Sequence, residues 1–380
     1  QLQDIHAQIT PGEIVSGNLI WQLEEASGSA NLLVNKLNPQ HIDSRIRAAQ
    51  VSGQISLKSN AQKQSASIQL KDNSISLNAA ITRSDDQVAL EQFQLQRNKS
   101  QLTGQGKFDL DNERSFELSG NLENFNISDF IQAPDSNLNA AIQLSGQLSP
   151  QTSGILKYTI QKSRLAKFPV TGAGQIAFNG LDQIKGKAEL NIGSNHFLAQ
   201  GGTGESGETY QLAVNAPALE QVGFGLAGDL QTHIQWNGNL QSPDLALKIK
   251  SRQLHLPGNH HLSGLVADGR LNNETISLKA TIENYAASDK ATLQHVEINT
   301  SGKISDHTLL AKAQIHDISK IQLKAVGGLD KESLTQSLRW NGQLTEFAFT
   351  GKIPVRLTAP TILAISTELV SLGQTKLSVS

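Results

Sequence analysis

The segment that decides the fold covers residues 88–127 and reads VALEQFQLQRNKSQLTGQGKFDLDNERSFELSGNLENFNI. Its apolar residues lie two positions apart, with polar residues between them, which is the period of a β-strand with one apolar and one polar face. Residues 98–100, residues 111–113 and Gly120 are of the types that form turns between strands. The same pattern recurs to the C-terminus, so the sequence predicts an all-β fold with few short helices.

Composition excludes several classes of function. The chain has 380 residues and a net charge of −2, which argues against nucleic acid or an anionic membrane surface as the main partner. Cysteine is absent, so disulfides, thiol catalysis and cysteine-based metal sites are excluded. The sequence contains no apolar run of about 18 residues and no signal peptide, so we expect any membrane anchor to lie outside these residues.

Local signals predict individual elements. Residues 66–81 contain two alternating segments separated by an Asp-Asn turn, which indicates a β-hairpin. A short helix is one of two interpretations for residues 127–131, where Ser128 would be the cap, and likewise for residues 216–220. Because Pro354 cannot donate a ladder hydrogen bond, its strand should be an edge strand or carry a bulge.

Degenerate repeats run through the chain. Residues 142–150, IQLSGQLSP, are similar to residues 234–243, IQWNGNLQSP. Such copies lie roughly 90 to 105 residues apart, a longer and looser period than that of a propeller blade or a leucine-rich repeat. Neither a linker nor a shift in composition separates them, so we expect residues 1–380 to form a single elongated unit.

No sequence motif predicts catalysis, a cofactor or a metal site. Residues 202–207 match G-x-G-x-x-G, but a strand-like segment follows where a dinucleotide site needs a helix. His260 and His261 are adjacent, so on a strand their side chains point to opposite faces. Nucleophile elbows, Walker loops and zinc-protease motifs are also absent. We therefore expect neither an enzyme nor a bound cofactor or metal.

The apolar face itself has two interpretations. It could be the interior of a closed β-sandwich or barrel, or it could line an open trough that holds acyl chains. A sandwich would close every 100 to 150 residues or so and show boundaries, which are not evident. The face is mostly aliphatic, because aromatic residues make up only 4% of the chain. Periodicity alone leaves both interpretations open.

A family resemblance appears near the C-terminus. Residues 338–344 read LRWNGQL, residues 357–360 read LTAP, and residues 368–373 read ELVSLG. This order resembles that of the TamB family, relatives of the AsmA-like proteins, in which a W-x-G-x-L strand precedes L-x-x-P and then V-x-L. Residues 95–110 and 230–244 are similar to other strand-turn phrases of that family. The resemblance covers the whole chain loosely and is sharpest over residues 225–373.

The resemblance implies a fold, a location and a function. The implied fold is an elongated, repeating β-groove, a β-taco or half-pipe with a hydrophobic concave channel. The implied protein lies in the periplasm of a diderm bacterium, anchored in the inner membrane by an N-terminal helix outside this chain. Its C-terminal region, also outside this chain, would meet an outer-membrane barrel of the BamA type, like TamA. The implied function is to carry phospholipids between the two membranes, with a link to outer-membrane protein assembly.

Alternatives remain at this stage. The chain could be a chaperone-like scaffold that guides outer-membrane barrel or autotransporter strands by β-augmentation, or a structural β-solenoid or adhesin. For the lipid-carrying interpretation, the residues predicted to line the groove are Phe93, Leu95, Phe108, Leu110, Phe116, Leu118, Leu245, Leu247, Ile249, Ile321, Leu323, Phe347 and Phe349.

Overall fold

The computed structural model describes residues 2–10, 13–180, 183–203, 208–238, 243–287, 292–315, 318–329, 339–366 and 369–379, without the side chains of residues 2–6, 9 and 10. The chain divides into two compact units, Gln1–Gly193 (unit 1) and Ser194–Ser380 (unit 2). The predicted single unit over residues 1–380 stays a prediction. Within the described ranges, no helix has the length and hydropathy that a membrane span requires.

Unit 1 is an antiparallel meander in which each strand pairs with the next along the chain. Its strands are β1 Leu2–Thr10, β2 Glu13–Gln22, β3 Ser27–Leu37, β4 Val51–Ser59, β5 Lys63–Lys71, β6 Ile75–Ser84, β7 Gln87–Arg97, β8 Ser100–Asp109, β9 Ser115–Phe125, β10 Ser136–Gln147, β11 Ser153–Leu165, β12 Phe168–Asn179 and β13 Gln183–Ile192.

Unit 2 is also antiparallel, and its strand pairing branches near its end, because β24 pairs with both β25 and β26. Its strands are β14 Asn195–Gly202, β15 Thr209–Ala216, β16 Ala227–Gly228, β17 Leu230–Asn237, β18 Asp244–Leu256, β19 His260–Asn272, β20 Thr275–Ala287, β21 Thr292–Lys303, β22 Asp306–Ile315, β23 Ser319–Leu329, β24 Arg339–Thr350, β25 Val355–Leu357, β26 Thr361–Ser366, β27 Val370–Leu372 and β28 Leu377–Val379.

The helices of the described residues are three 3₁₀ turns, Pro39–His41, Ile127–Asp129 and Leu219–Gln221. They occur at similar intervals along the chain. Each lies in the connection between one long strand and the next. Together with the strands they confirm the predicted all-β class with few short helices. The predicted hairpin of residues 66–81 is also confirmed, as β5 pairs with β6.

Three local predictions are corrected. The 3₁₀ helix after β9 is capped by the Asn126 side chain, whose Oδ1 accepts from the N–H of Ser128 at 3.3 Å. Leu110 lies one residue beyond the end of β8, because the Asp109 and Asp111 turn chemistry ends the strand there. Pro354 precedes β25 rather than lying within it, so it takes no ladder position.

Bulges bend several strands. Asn124 has a φ of +47° within β9, where the register with β10 shifts between Leu138 and Ala140. Lys36 has a φ of +54° near the end of β3, where a second shift occurs. A bulge adds local twist and bends its strand, so β3 and β9 each curve near their C-terminal ends.

Candidate functional site

Residues that are directly opposite in an antiparallel pair share a face of the sheet. In unit 1 the registers from β2 to β13 align four such rows, lettered A to D, which together form what we call the inner face. Row A is Val15, Val34, Gly53, Leu70, Leu77, Leu95, Leu102, Leu122, Ala140, Ile160, Gly172 and Leu190. Row B is Gly17, Leu32, Ile55, Ile68, Ala79, Phe93, Gly104, Gly120, Ile142, Tyr158, Gly174 and Ala188.

The next two rows complete this face. Row C is Leu19, Ala30, Leu57, Ala66, Ile81, Leu90, Gly106, Leu118, Leu144, Leu156, Ile176 and Gly186. Row D is Trp21, Gly28, Ser59, Gln64, Arg83, Val88, Phe108, Phe116, Gly146, Gly154, Phe178 and Ile184. Rows A to C thus contain only apolar residues, glycine and Tyr158.

The opposite face of the same strands is mostly polar. On it, the Ser56 hydroxyl donates to Asn31 Oδ1 at 3.0 Å, and Gln54 Nε2 donates to the Ser56 hydroxyl at 3.2 Å. This contrast explains the alternating sequence: one face is solvated through amide and hydroxyl groups, and the other carries a largely apolar surface.

The inner face is buried along one rim and open along the other. At row A, Val34 is 5% exposed and Leu70 is 8% exposed. Toward row D the exposed fraction rises, to 39% for Leu57 and 47% for both Leu118 and Trp21. A fully closed core would bury all of these side chains. Unit 1 therefore has a closed rim beside row A and an open rim beside row D.

Two segments that we call straps, residues 38–50 and 126–135, build the closed rim. Ile46 and Ile131 form an antiparallel bridge, and the N–H of Arg47 donates to the carbonyl oxygen of Phe130 at 2.7 Å. The straps thus meet although β4 to β9 separate them in the sheet. Ala49 of the first strap packs against a buried cluster of Val51 with the row A residues Val34 and Leu70.

Hydrogen bonds fasten the straps to the tips of the hairpins that they pass. The N–H of Gln50 donates to Asp72 Oδ2 at 3.3 Å, in the turn between β5 and β6. Asp129 accepts from Asn98 Nδ2 at 2.9 Å and from the hydroxyl of the fully buried Ser100, at the turn between β7 and β8. The straps therefore seal the row A end of the sheet, whereas the hairpin turns beyond row D have no such cover among the described residues.

Glycines on the inner face leave room for large side chains on the neighbouring strands. A Cβ at Gly28 would overlap the indole of Trp21, and one at Gly154 would lie 2.9 Å from Phe178 Cζ. A large side chain thus lies flat over the glycine that faces it on the next strand, as aromatic side chains do over strand glycines. At these positions the glycine leaves room for the large side chain to lie against the sheet.

A depression of 600 Å³ lies on the open side of this face. Its volume falls within the range of roughly 300 to 1,000 Å³ that is typical of small-molecule pockets. Its lining residues on the inner face are Leu19, Trp21, Gly28, Ala30, Leu57, Ser59, Gln64, Ala66, Ile81, Arg83 and Val88.

In unit 2 the same construction gives a second apolar face. Registers from β14 to β24 align Ala199, Leu212, Ile234, Leu247, Gly269, Leu278, Thr300, Leu309, Ala325 and Leu344 in one row. The neighbouring row holds Phe197, Val214, Thr232, Ile249, Ala267, Ala280, Ile298, Ala311, Leu323 and Phe347.

Part of the unit 2 face is an ordinary packed core. Ala325, Trp340, Leu344 and Leu363 form a buried cluster near the branch of the sheet, and Leu357 from β25 packs against it. A second cluster joins Leu254 to Ala216 and to Leu219 of the third 3₁₀ helix, so this helix covers a rim as the straps of unit 1 do. Elsewhere on this face Leu212 is 39% exposed, so closed-core and open-face regions coexist within unit 2.

The structure places most predicted lining residues on these two faces. Phe93, Leu95, Phe108, Phe116 and Leu118 lie in rows A to D of unit 1. The predicted residues of unit 2 lie on its apolar face, but two of them pack against the buried cluster at the branch. They are Leu245, Leu247, Ile249, Ile321, Leu323, Phe347 and Phe349, with Leu323 and Phe347 at the cluster. Leu110 lies in the turn after β8 and is 37% exposed.

Sequence reasoning missed the polar residues of the open rim. Ser59, Gln64 and Arg83 occupy three successive positions of row D. In the sequence they look like ordinary strand-end residues, and only the cross-strand register places them together on the inner face. The strap contacts were missed for the same reason.

Two tyrosines on the apolar faces of the units have a raised pKa. Burial raises the pKa of Tyr158, whose hydroxyl donates to the main-chain oxygen of Glu189 at 3.0 Å. Burial also raises the pKa of Tyr210. No group of three or more His, Cys, Asp or Glu side chains in the described part of the chain is arranged to hold a metal ion. The predicted G-x-G-x-x-G loop lies largely outside the described residues.

These features define a class: an antiparallel meander with one largely apolar face. The family profile described as "TamB, N-terminal domain" matches residues 54–371, and the chain belongs to this family. It is similar to the translocation and assembly module subunit TamB of Haemophilus influenzae, with 23% identity over 258 residues. That match covers 66% of this chain and 19% of the relative, so the chain spans about a fifth of the relative's length. No solved structure matches.

Proposed function

We propose that this chain carries phospholipid acyl chains along its apolar faces, as a segment of a bridge between the inner and outer membranes. The observation that supports it is the inner face of unit 1, where rows A to C run across β2 to β13 without a charged residue. Each methylene that leaves water for such a surface contributes about 0.8 kcal/mol when it is fully buried. A row without a barrier offers equivalent neighbouring positions, so a chain can slide along it.

The rims suggest how a lipid would sit. At the closed rim the straps exclude solvent from row A, while the open rim leaves row D in contact with water. An acyl chain would lie over rows B and C, with its headgroup at the open rim beside row D. Both groups then keep the surroundings they favour, which a closed core could not offer.

The location and partners belong to the same proposal. The relative's name contains the words "translocation and assembly module". It supports a linked role in outer-membrane protein assembly, in which this chain acts within the periplasm, anchored in the inner membrane and joined to a BamA-type, TamA-like barrel by other parts of its protein. A scaffold that only guides strands is the competing function, and it would tolerate a charge on the apolar face.

Two matched isoleucines test the proposal. Ile142 lies in row B on the inner face and is 42% exposed, whereas Ile155 lies on the opposite face of the next strand and is 38% exposed. We expect purified Ile142→Asp to lose co-purifying phospholipid, because the carboxylate interrupts the aliphatic row. Ile155→Asp should retain it.

The readout is native mass spectrometry followed by lipid extraction, with circular dichroism to show that both variants are folded. Equal lipid content in the two variants, or a wild-type chain that is lipid-free in every detergent-free preparation, would refute the conduit. In cells, outer-membrane protein assembly that persists in Ile142→Asp while lipid carriage is lost would separate the two linked roles.

A further inference from the structure

Arg83 interrupts an otherwise uncharged surface. Among the described residues of rows A to D in unit 1, it is the only charged side chain. Gln64 is its direct cross-strand neighbour, and Ser59 is the neighbour of Gln64. Its guanidinium makes no ion pair or hydrogen bond with any described residue. These three residues form a polar notch in row D, with the donors of a guanidinium, an amide and a hydroxyl.

The notch adjoins the aliphatic depression of 600 Å³. The polar end of the depression is lined by Arg83, Gln64 and Ser59. Its apolar part includes Ala30 and Leu57. The site therefore has two chemistries side by side, an anion-binding group at the open rim and room for an acyl chain behind it.

Trp21 marks the boundary between these two chemistries. Its indole lies over Gly28 in the same row and remains 47% exposed. Tryptophan favours such positions, where its ring contacts an apolar layer and its N–H faces water. The same arrangement is expected where a lipid's glycerol region would lie.

Arg83 is the one cation in rows A to D, and Lys58, on the opposite face of β4, also lines the depression. Asp85 and Asp86 occupy the turn that follows β6, and Glu24 and Glu25 occupy the turn after β2. These exposed carboxylates repel phosphate at the turns, whereas Arg83 is the residue of rows A to D that attracts it. A guanidinium also matches phosphate geometry with two parallel hydrogen bonds.

We infer that Arg83, Gln64 and Ser59 bind the phosphate of a glycerophospholipid whose acyl chain lies in the adjoining depression. The inference rests on the proposed function and deepens it, because it makes the groove selective at one point for a phosphate-bearing lipid over a neutral one. Arg83 acts on the headgroup, and the aliphatic rows act on the chain.

Calorimetric titration of the full chain with two monomeric lipids of the same acyl chain tests this assignment. Lysophosphatidylglycerol carries the phosphate, and monoacylglycerol lacks it. We expect Arg83→Gln to weaken lysophosphatidylglycerol binding about tenfold, through loss of charge-assisted hydrogen bonds, and to leave monoacylglycerol binding within about twofold. Arg83→Lys should lie between, because it keeps the charge and loses the bidentate geometry.

The matched control is Lys63→Gln, which removes one positive charge from the opposite face of β5, next to Gln64. It should behave as the wild type with both lipids. The inference is overturned if Arg83→Gln weakens the binding of both lipids equally or of neither. In that case, monoacylglycerol binding by the wild type would still support the conduit. Wild-type protein that binds neither lipid would overturn both proposals. Inorganic phosphate that binds as tightly as lysophosphatidylglycerol would show a free-anion site and overturn the lipid assignment.

Discussion

At the scale of single residues, His307 shows how unit 2 tolerates polarity on its apolar face. The side chain is 5% exposed, and its Nε2 accepts from Trp340 Nε1 at 2.9 Å. Its Nδ1 lies 3.0 Å from the carbonyl oxygen of Lys303, so the ring is the neutral tautomer with the proton on Nδ1. Both ring nitrogens and the indole N–H are thereby satisfied inside a packed region.

We expect His307→Leu to lower the free energy of unfolding by about 1 to 3 kcal/mol, because it leaves the indole N–H of Trp340 buried without an acceptor. Urea denaturation measures the change. The double variant with Trp340→Phe should recover part of the loss, since it removes the orphaned donor. His233→Leu, at an exposed position, is the control and should change stability by less than about 0.5 kcal/mol. If His307→Leu lowers the free energy of unfolding by no more than the control variant does, the hydrogen bond to Trp340 does not stabilise unit 2.

Tyr210 makes the stability of unit 2 sensitive to alkaline pH. The residue is 7% exposed, and burial raises the pKa of its hydroxyl. A folded-state pKa above the unfolded one, about 10, means that the stabilisation is complete below pH 10 and is lost as pH rises through the folded pKa. We expect Tyr210→Phe to flatten the fall in melting temperature above pH 10, as measured by circular dichroism. An unchanged alkaline slope would show that the hydroxyl does not ionise with unfolding.

At the scale of elements, the straps explain why one rim of unit 1 differs from the other. Strands are determined by local alternation, which is why the sequence predicts β5, β6 and the hairpin between them correctly. The bridge between Ile46 and Ile131 joins residues on either side of six strands, and no local pattern encodes such a contact. The end of β8 is predicted one residue too late for a related reason. The alternation of apolar and polar residues continues past Asp109 to Leu110, which lies in the turn.

Asp129 is the residue on which the second strap depends most. We expect Asp129→Ala to remove its hydrogen bonds to Asn98 and Ser100 and to cost about 1.5 to 3 kcal/mol locally. Hydrogen exchange should quicken in residues 126–135 and 98–100, while β5 keeps its protection. Asp86→Ala, in an exposed turn beyond row D, is the control and should leave these segments unchanged. Quickened exchange throughout unit 1 would instead show that the straps are part of one cooperative core.

At the scale of the whole chain, the sequence predicted the fold class and the apolar faces but not their depth. Periodicity shows that a strand has an apolar face. An open groove and a closed core give the same periodicity, so it does not distinguish them. The structure contains both outcomes, with Leu118 open in unit 1 and Leu344 closed in unit 2. The polar notch at Arg83 could not be predicted, because it depends on the register of three strands, which alternation does not determine.

Acyl-chain length distinguishes a groove from a pocket. In unit 1 an acyl chain would contact the inner face on one side and water on the other, so each methylene should contribute about half of the full 0.8 kcal/mol. We expect the affinity for monoacylglycerols to rise about twofold per methylene, with no optimum length, because rows B and C continue from strand to strand. Titration with a homologous series measures this slope. An enclosed cavity would instead give about a fourfold rise per methylene and then a plateau at the length it can hold. That result would place the lipid in a closed site and would remove the basis for sliding along the sheet.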